Sequence, residues 1–137
     1  RSLRVTREEA RRLITGDYTP LLQSREAFAA ECYALMQSRC YRPKAIVEYD
    51  RKAFIAKENK IRVTFDSRIV ATESSFDLFD ERLNMAPVLD PGAVVMEVKY
   101  NGFLLDYIRQ MINTVDQSEL SVSKYMLARQ NGYRYRL

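Results

Sequence analysis

The sequence of 137 residues contains no histidine and only two cysteines, Cys32 and Cys40. Structural and catalytic zinc sites rely mainly on cysteine and histidine ligands, so we expect no zinc site. The absence of histidine also excludes a Ser-His-Asp triad and histidine-based acid–base catalysis. Two isolated cysteines are more typical of reduced, packed thiols than of a disulfide, which predicts a cytoplasmic protein.

The chain also lacks any run of about 18 apolar residues, so we expect no membrane-spanning segment. No signal-peptide pattern follows Arg1, and because the sequence begins abruptly without Met we expect a fragment of a longer protein. With 47% hydrophobic and 29% charged residues, the composition predicts one soluble globular domain. The formal net charge of +4 suits an anionic ligand without requiring one.

The hydrophobic periodicity predicts an α+β fold, in which helices flank an antiparallel sheet. The first helix is predicted from about residue 7 to residue 15. It follows a capping box at Thr6 and ends at Gly16. The other helices are predicted from about residue 25 to 38 or 39, over 103–113, and over 124–130 with Ser123 as N-cap and Asn131-Gly132 as the end. Strands are predicted over 45–55, 61–66, 69–74 and 94–100, with the end of a strand at 1–5 and a turn at Ser67-Arg68.

Three of the predicted strands carry charged residues on one face. Side chains alternate along a strand, so Glu97 and Lys99 share one face of the strand 94–100, opposite an apolar row. Arg62, Thr64 and Asp66 share one face of the strand 61–66, and Tyr49 and Arg51 share a face of the strand 45–55.

Two interpretations of this polar face remain open. An antiparallel sheet with one face in water shows the same alternation, and a small α+β scaffold would then bind no triphosphate. The recurrence of arginine favours phosphate binding instead, because a guanidinium can hold two phosphate oxygens at once. A carboxylate among several cations can hold Mg²⁺ or Mn²⁺ together with substrate phosphates.

Four motifs carry a resemblance to a known family. They are Tyr49-Asp50-Arg51 before Ala53-Phe54, then Ile61-Arg62-Val63-Thr64-Phe65-Asp66, then Met96-Glu97-Val98-Lys99-Tyr100, and finally Ser123-Lys124-Tyr125. In this order and approximate spacing, over residues 42–125, the sequence resembles the VTC domain of polyphosphate polymerases, which are triphosphate tunnel metalloenzymes. The resemblance implies an antiparallel barrel, open at both ends and lined by basic residues.

The family's early strands have no counterpart before Arg1, so we expect residues 1–137 to form a partial tunnel domain. A second chain would supply the missing strands, or the fragment would dimerise through its open sheet edges.

The resemblance also implies roles for individual residues. The residues implied for catalysis and phosphate binding are Arg51, Arg62, Lys99 and Lys124. Ser123 and Tyr49 are implied as further substrate-binding residues. Glu97 is implied as the ligand of Mn²⁺ or Mg²⁺. The implied reaction moves the γ-phosphate of ATP onto polyphosphate. Two alternatives remain: a hydrolase acting on a triphosphate or an RNA 5′-triphosphate, and a non-catalytic module that binds polyanions. We expect no specific nucleic-acid partner.

Overall fold

The computed structural model describes residues 1–57, 60–114 and 123–134. Residues 115–122, which lie between the last two predicted helices, and residues 135–137 are outside these ranges. The chain divides into two compact units, Arg1–Ile46 with Ser74–Leu83, and Val47–Glu73 with Asn84–Leu137.

The first unit contains helices α1 (Arg7–Thr15) and α2 (Ala27–Ser38), with a short 3₁₀ helix at Thr19–Gln23 between them. The capping box predicted for α1 is confirmed. The Thr6 hydroxyl accepts a hydrogen bond from the Glu9 amide at 3.2 Å, and the Glu9 carboxylate accepts one from the Thr6 amide at 2.6 Å. Gly16 ends α1 in the left-handed region, at φ +91°.

The predicted strand at residues 1–5 is wrong, because this segment contacts α2 rather than a neighbouring strand. The Arg1 guanidinium lies 4.6 Å from the centre of the Phe28 ring and donates a hydrogen bond to Glu31 at 2.7 Å. Leu3 packs against the small core of this unit, whose buried members are Tyr18, Leu21 and Ala29. Both cysteines are free thiols.

The second unit is built on a sheet of four strands: β1 (Ile46–Ala56), β2 (Ile61–Thr72), β3 (Ala86–Pro87) and β4 (Val95–Lys99). Strand β2 is central, because it pairs with β1 and also, antiparallel, with β3 and β4. Two predicted strands, 61–66 and 69–74, are therefore one continuous strand.

The turn predicted at Ser67-Arg68 is wrong. Arg68 does adopt a positive φ of +50°, but the strand continues through it. Beyond this residue β2 changes neighbour from β4 to β3, with Val70 opposite Pro87 and Ala71 opposite Ala86. The new partner keeps the backbone paired, so the strand continues through Arg68 despite its positive φ.

Two helices follow the sheet, α3 (Asp106–Ile112) and α4 (Lys124–Arg134). Helix α3 begins three residues later than predicted, after Gly102, which adopts φ +81°. Helix α4 continues through Asn131-Gly132, where the sequence predicted its end, since a single glycine can be tolerated inside a helix. None of the helices in the described part of the chain is long and apolar enough to cross a membrane.

The observed architecture is thus of the predicted α+β class, with helices and an antiparallel sheet. Over the described residues the four strands form an open sheet that does not close on itself. The predicted barrel is therefore unconfirmed.

Candidate functional site

The register of β2 against β4 brings two of the predicted polar rows onto one face of the sheet. Arg62 lies opposite Lys99 and Thr64 lies opposite Glu97. Residues directly opposite each other on neighbouring strands have Cβ atoms about 4.5–5.5 Å apart. The two strands therefore place two cations and one carboxylate within reach of a single small ligand.

Asp66 forms the buried centre of this face. Its side chain is fully buried, and the Arg51 guanidinium donates two hydrogen bonds to it, from Nε to Oδ1 at 2.6 Å and from Nη2 to Oδ2 at 2.8 Å. The ammonium of Lys124, at the start of α4, lies 2.6 Å from Oδ2. One carboxylate thus holds a cation from β1 and a cation from α4 side by side.

The ion pair between Asp66 and Arg51 shifts the pKa of both side chains. The hydrogen bonds from Arg51 lower the pKa of Asp66 from 3.8 to about 2, with Lys124 adding to the effect and burial opposing it. The same carboxylate raises the pKa of Arg51. Asp66 and Arg51 are consequently both charged at neutral pH.

Tyr49 supports the same two cations through its ring. The Arg51 guanidinium and the Lys124 ammonium each lie 5.0 Å from the ring centre. A cation near the face of an aromatic ring is attracted to the negative charge of the π-system. Together Tyr49 and Asp66 restrict where both cationic groups can point.

Glu97 is the more accessible carboxylate, with a side chain that is 42% exposed, and it forms an ion pair with Lys99 at 2.9 Å. Its pKa is lowered, chiefly by the hydrogen bond from Lys99 and further by the charges of Lys99, Lys124 and Arg51, while burial, the second-largest effect, opposes this change. Arg62 is exposed and makes no ion pair within the described ranges. Its guanidinium is thus available to an external anion.

A small pocket of about 40 Å³ opens between these side chains. Its lining consists of Arg51, Arg62, Thr64, Glu97 and Lys99. Thr64 is buried, and its hydroxyl has no hydrogen-bond partner among the residues that the structure describes. The pocket therefore combines three cations and one carboxylate with an unsatisfied neutral hydroxyl.

Of the seven residues assigned roles from the sequence, six lie together on this face: Tyr49, Arg51, Arg62, Glu97, Lys99 and Lys124. The seventh, Ser123, lies next to Lys124, where its hydroxyl accepts a hydrogen bond from the amide of Met126 at 3.4 Å. This is the geometry of the predicted helix N-cap.

Two residues of the site received no role from the sequence, Asp66 and Thr64. Both belong to the polar face of β2, together with Arg62. A carboxylate in a strand whose neighbouring strands carry cations on the same face indicates an ion pair. The partner from α4 could not be identified in that way, because α4 is distant in the sequence.

Glu97 is the one carboxylate of the pocket lining that could hold a divalent cation. No group of three or more Cys, His, Asp or Glu side chains that could bind a metal occurs in the described part of the chain. Mg²⁺ commonly binds through one or two carboxylates together with substrate phosphates. Glu97, which is partly exposed and lines the pocket, could supply such a carboxylate, whereas Asp66 already pairs with two cations.

Comparison with known proteins agrees with the motif pattern. The family model described as the VTC domain matches residues 1–132. No curated protein and no solved structure matches the chain significantly. The family match covers nearly the whole sequence and is consistent with a polyphosphate-related function. The chain therefore belongs to the VTC domain family.

Proposed function

We propose that the polar face of the sheet binds the phosphates of a triphosphate or of a polyphosphate chain. The full domain would use this site, with Mn²⁺ or Mg²⁺, to transfer the γ-phosphate of ATP to polyphosphate. The observation that carries the proposal is the grouping of four cations, Arg51, Arg62, Lys99 and Lys124, around only two carboxylates. On this proposal the open sheet forms one wall of a tunnel-shaped barrel.

The four cations would differ in their roles. Arg62, which makes no ion pair with any residue that the structure describes, would hold two phosphate oxygens in a bidentate contact. Lys99 can leave Glu97 for a phosphate because its side chain is 70% exposed. Arg51 and Lys124 keep their contacts with Asp66 and present their remaining N–H groups to the ligand.

The reaction needs positioning and charge neutralisation more than a protein nucleophile. A terminal oxygen of polyphosphate forms a bond to the γ-phosphorus of ATP, and the bond from that phosphorus to the β–γ bridging oxygen breaks. ADP leaves with the electron pair. The attacking oxygen is already anionic at neutral pH, so no side chain has to remove a proton, which is compatible with a chain that lacks histidine.

A bound divalent cation would neutralise charge on the transferred phosphoryl group. Glu97 is the residue proposed to hold it, because its carboxylate is partly exposed and lines the pocket. Hydrolysis of a triphosphate would use the same binding groups, with water in place of polyphosphate as the acceptor.

A non-catalytic module that binds polyphosphate is the second candidate. The observation that favours it is the ion pair between Glu97 and Lys99, which already neutralises the one accessible carboxylate of the pocket. Such a site would bind a polyanion without needing a metal.

The substitution Glu97→Gln distinguishes these two candidates. We expect it to reduce Mn²⁺-dependent synthesis of polyphosphate from ATP at least about 100-fold, because the carboxylate ligand of the metal is lost. Tripolyphosphate binding without metal should stay equal or become tighter, since one negative charge is removed from the site. The measurements are polyphosphate formation and calorimetric titration.

The matched control is Asp50→Asn, which removes a carboxylate paired with Arg68 on the opposite face of β1. Asp50→Asn should change neither the rate of polyphosphate synthesis nor the affinity for tripolyphosphate. Full turnover in Glu97→Gln would refute the proposed metal role. Tight binding of tripolyphosphate by the full domain, with no turnover under any condition, would favour the non-catalytic module.

A further inference from the structure

Thr64 has a buried hydroxyl group that makes no hydrogen bond to any described residue. The residue is 2% exposed, and its Oγ1 has no hydrogen-bond partner within the described residues. Buried polar side chains in native proteins almost always have at least one partner, since removing such a group from water costs free energy that a hydrogen bond must offset. An unsatisfied hydroxyl at this position therefore indicates a group that binds there.

The position of Thr64 identifies the kind of group. It lies in the polar row of β2, two residues from Arg62 and two from Asp66, and opposite Glu97 on β4. Its side chain lines the pocket of about 40 Å³, in company with Arg51, Arg62 and Lys99. At about 10–15 Å³ for each water-sized group, this volume has room for about three such groups, comparable to the oxygens of one phosphoryl group.

The surrounding charges indicate that an anion fills this space. Three of the five lining side chains are cations, and the single carboxylate among them is already paired with Lys99. A threonine hydroxyl is the only neutral donor of the five. It can give a hydrogen bond to an anionic oxygen without adding a further charge to repel its cationic neighbours.

We propose that the Thr64 hydroxyl donates a hydrogen bond to a non-bridging phosphoryl oxygen of the bound phosphate chain, between the contacts made by Arg51 and Arg62. The inference rests on the proposed function and adds a binding residue to it. Because Thr64 is buried and lines the pocket, this contact would fix how deeply a phosphoryl group enters between the two guanidinium groups.

The test is the substitution Thr64→Val, which replaces the hydroxyl by a methyl group of similar shape. We expect tripolyphosphate to bind about tenfold more weakly or worse, as for the loss of a hydrogen bond to a charged group. The thermal unfolding temperature should stay equal or rise, because the variant buries no unsatisfied hydroxyl. Calorimetric titration without metal and with Mn²⁺, together with thermal unfolding, measures both effects.

A second pair of variants isolates the hydroxyl if valine disturbs the strand. Thr64→Ser and Thr64→Ala differ from each other by the hydroxyl alone, so the serine variant should bind tripolyphosphate about tenfold more tightly than the alanine variant. Equal binding by this pair would overturn the inference. So would a difference seen only with Mn²⁺, because the hydroxyl would then contact a metal-bound water. Failure of the wild-type chain to bind tripolyphosphate would instead contradict the proposed function itself.

Discussion

Replacing Asp66 by asparagine should lower the free energy of unfolding by about 2–3 kcal/mol. The substitution removes the negative charge that holds Arg51 and Lys124 together, and it leaves two cations beside each other with one neutral acceptor. Breaking a buried ion pair by removing one partner typically costs about 3–5 kcal/mol. We expect a value below that range, because Arg51 is partly exposed and can turn toward solvent. Urea-induced unfolding at pH 7 measures the difference.

The pH dependence of stability provides a second measure of the same carboxylate. The pKa of Asp66 in the folded chain is about 2, below its ordinary value of 3.8. Between these two pH values the unfolded chain binds the proton more readily than the folded chain does. Ionised Asp66 therefore contributes about 2 kcal/mol to the free energy of unfolding. This contribution is fully present above about pH 4 and is lost as the pH falls toward 2. The free energy of unfolding of the Asp66→Asn variant should therefore fall less between pH 4 and pH 2 than that of the wild-type chain.

Glu97→Gln is the control for the stability measurement, because Glu97 is an accessible carboxylate whose ion pair with Lys99 lies largely in solvent. Exposed ion pairs contribute about 0–1 kcal/mol. An Asp66→Asn variant as stable as the wild-type chain, at pH 7 and at pH 3, would show that Asp66 does not organise the site.

Replacing Arg62 by alanine should weaken tripolyphosphate binding about 100-fold. Two hydrogen bonds from a charged donor to a charged acceptor are lost, and about 1.4 kcal/mol corresponds to each tenfold change in affinity. The stability of the fold should change little, since Arg62 is exposed and makes no ion pair within the described ranges. Calorimetric titration and thermal unfolding separate these two effects.

Arg68→Ala is the matched control for Arg62→Ala. It removes the same charge from the same strand, but Arg68 is paired with Asp50, whose side chain lies on the opposite face of β1 from Arg51. Its affinity for tripolyphosphate should remain within about twofold to threefold of the wild-type value. Equal losses in both variants would show that net charge, rather than the arrangement of this face, determines binding.

The alternation of side chains along single strands was sufficient to predict most of the polar face. Because the period of a strand is two residues, Arg62 and Asp66 had to share a face, as did Glu97 and Lys99. The capping box of α1 was equally local and was confirmed. The sequence also predicted the α+β class correctly, since helical and strand periodicities are each visible within one element.

The parts that the sequence could not predict depend on contacts between distant segments. The bidentate pair between Arg51 and Asp66, and the arrival of Lys124 at the same carboxylate, require the fold to bring β1, β2 and α4 together. The sequence also could not show that the Thr64 hydroxyl lacks a hydrogen-bond partner among the described residues, because that depends on its neighbours in the fold. The Ser67-Arg68 turn was wrong because local turn signals do not reveal that a new neighbouring strand continues the pairing.

The most direct test of the central claim is calorimetric titration of tripolyphosphate into the wild-type chain, without metal and with Mn²⁺. The proposed site predicts saturable binding that weakens as the salt concentration rises, because cations form most of the contacts. It also predicts tighter binding with Mn²⁺ and a loss of about 100-fold in Arg62→Ala. A folded wild-type chain that binds no tripolyphosphate in either condition would contradict the claim that this face of the sheet is a phosphate-binding site.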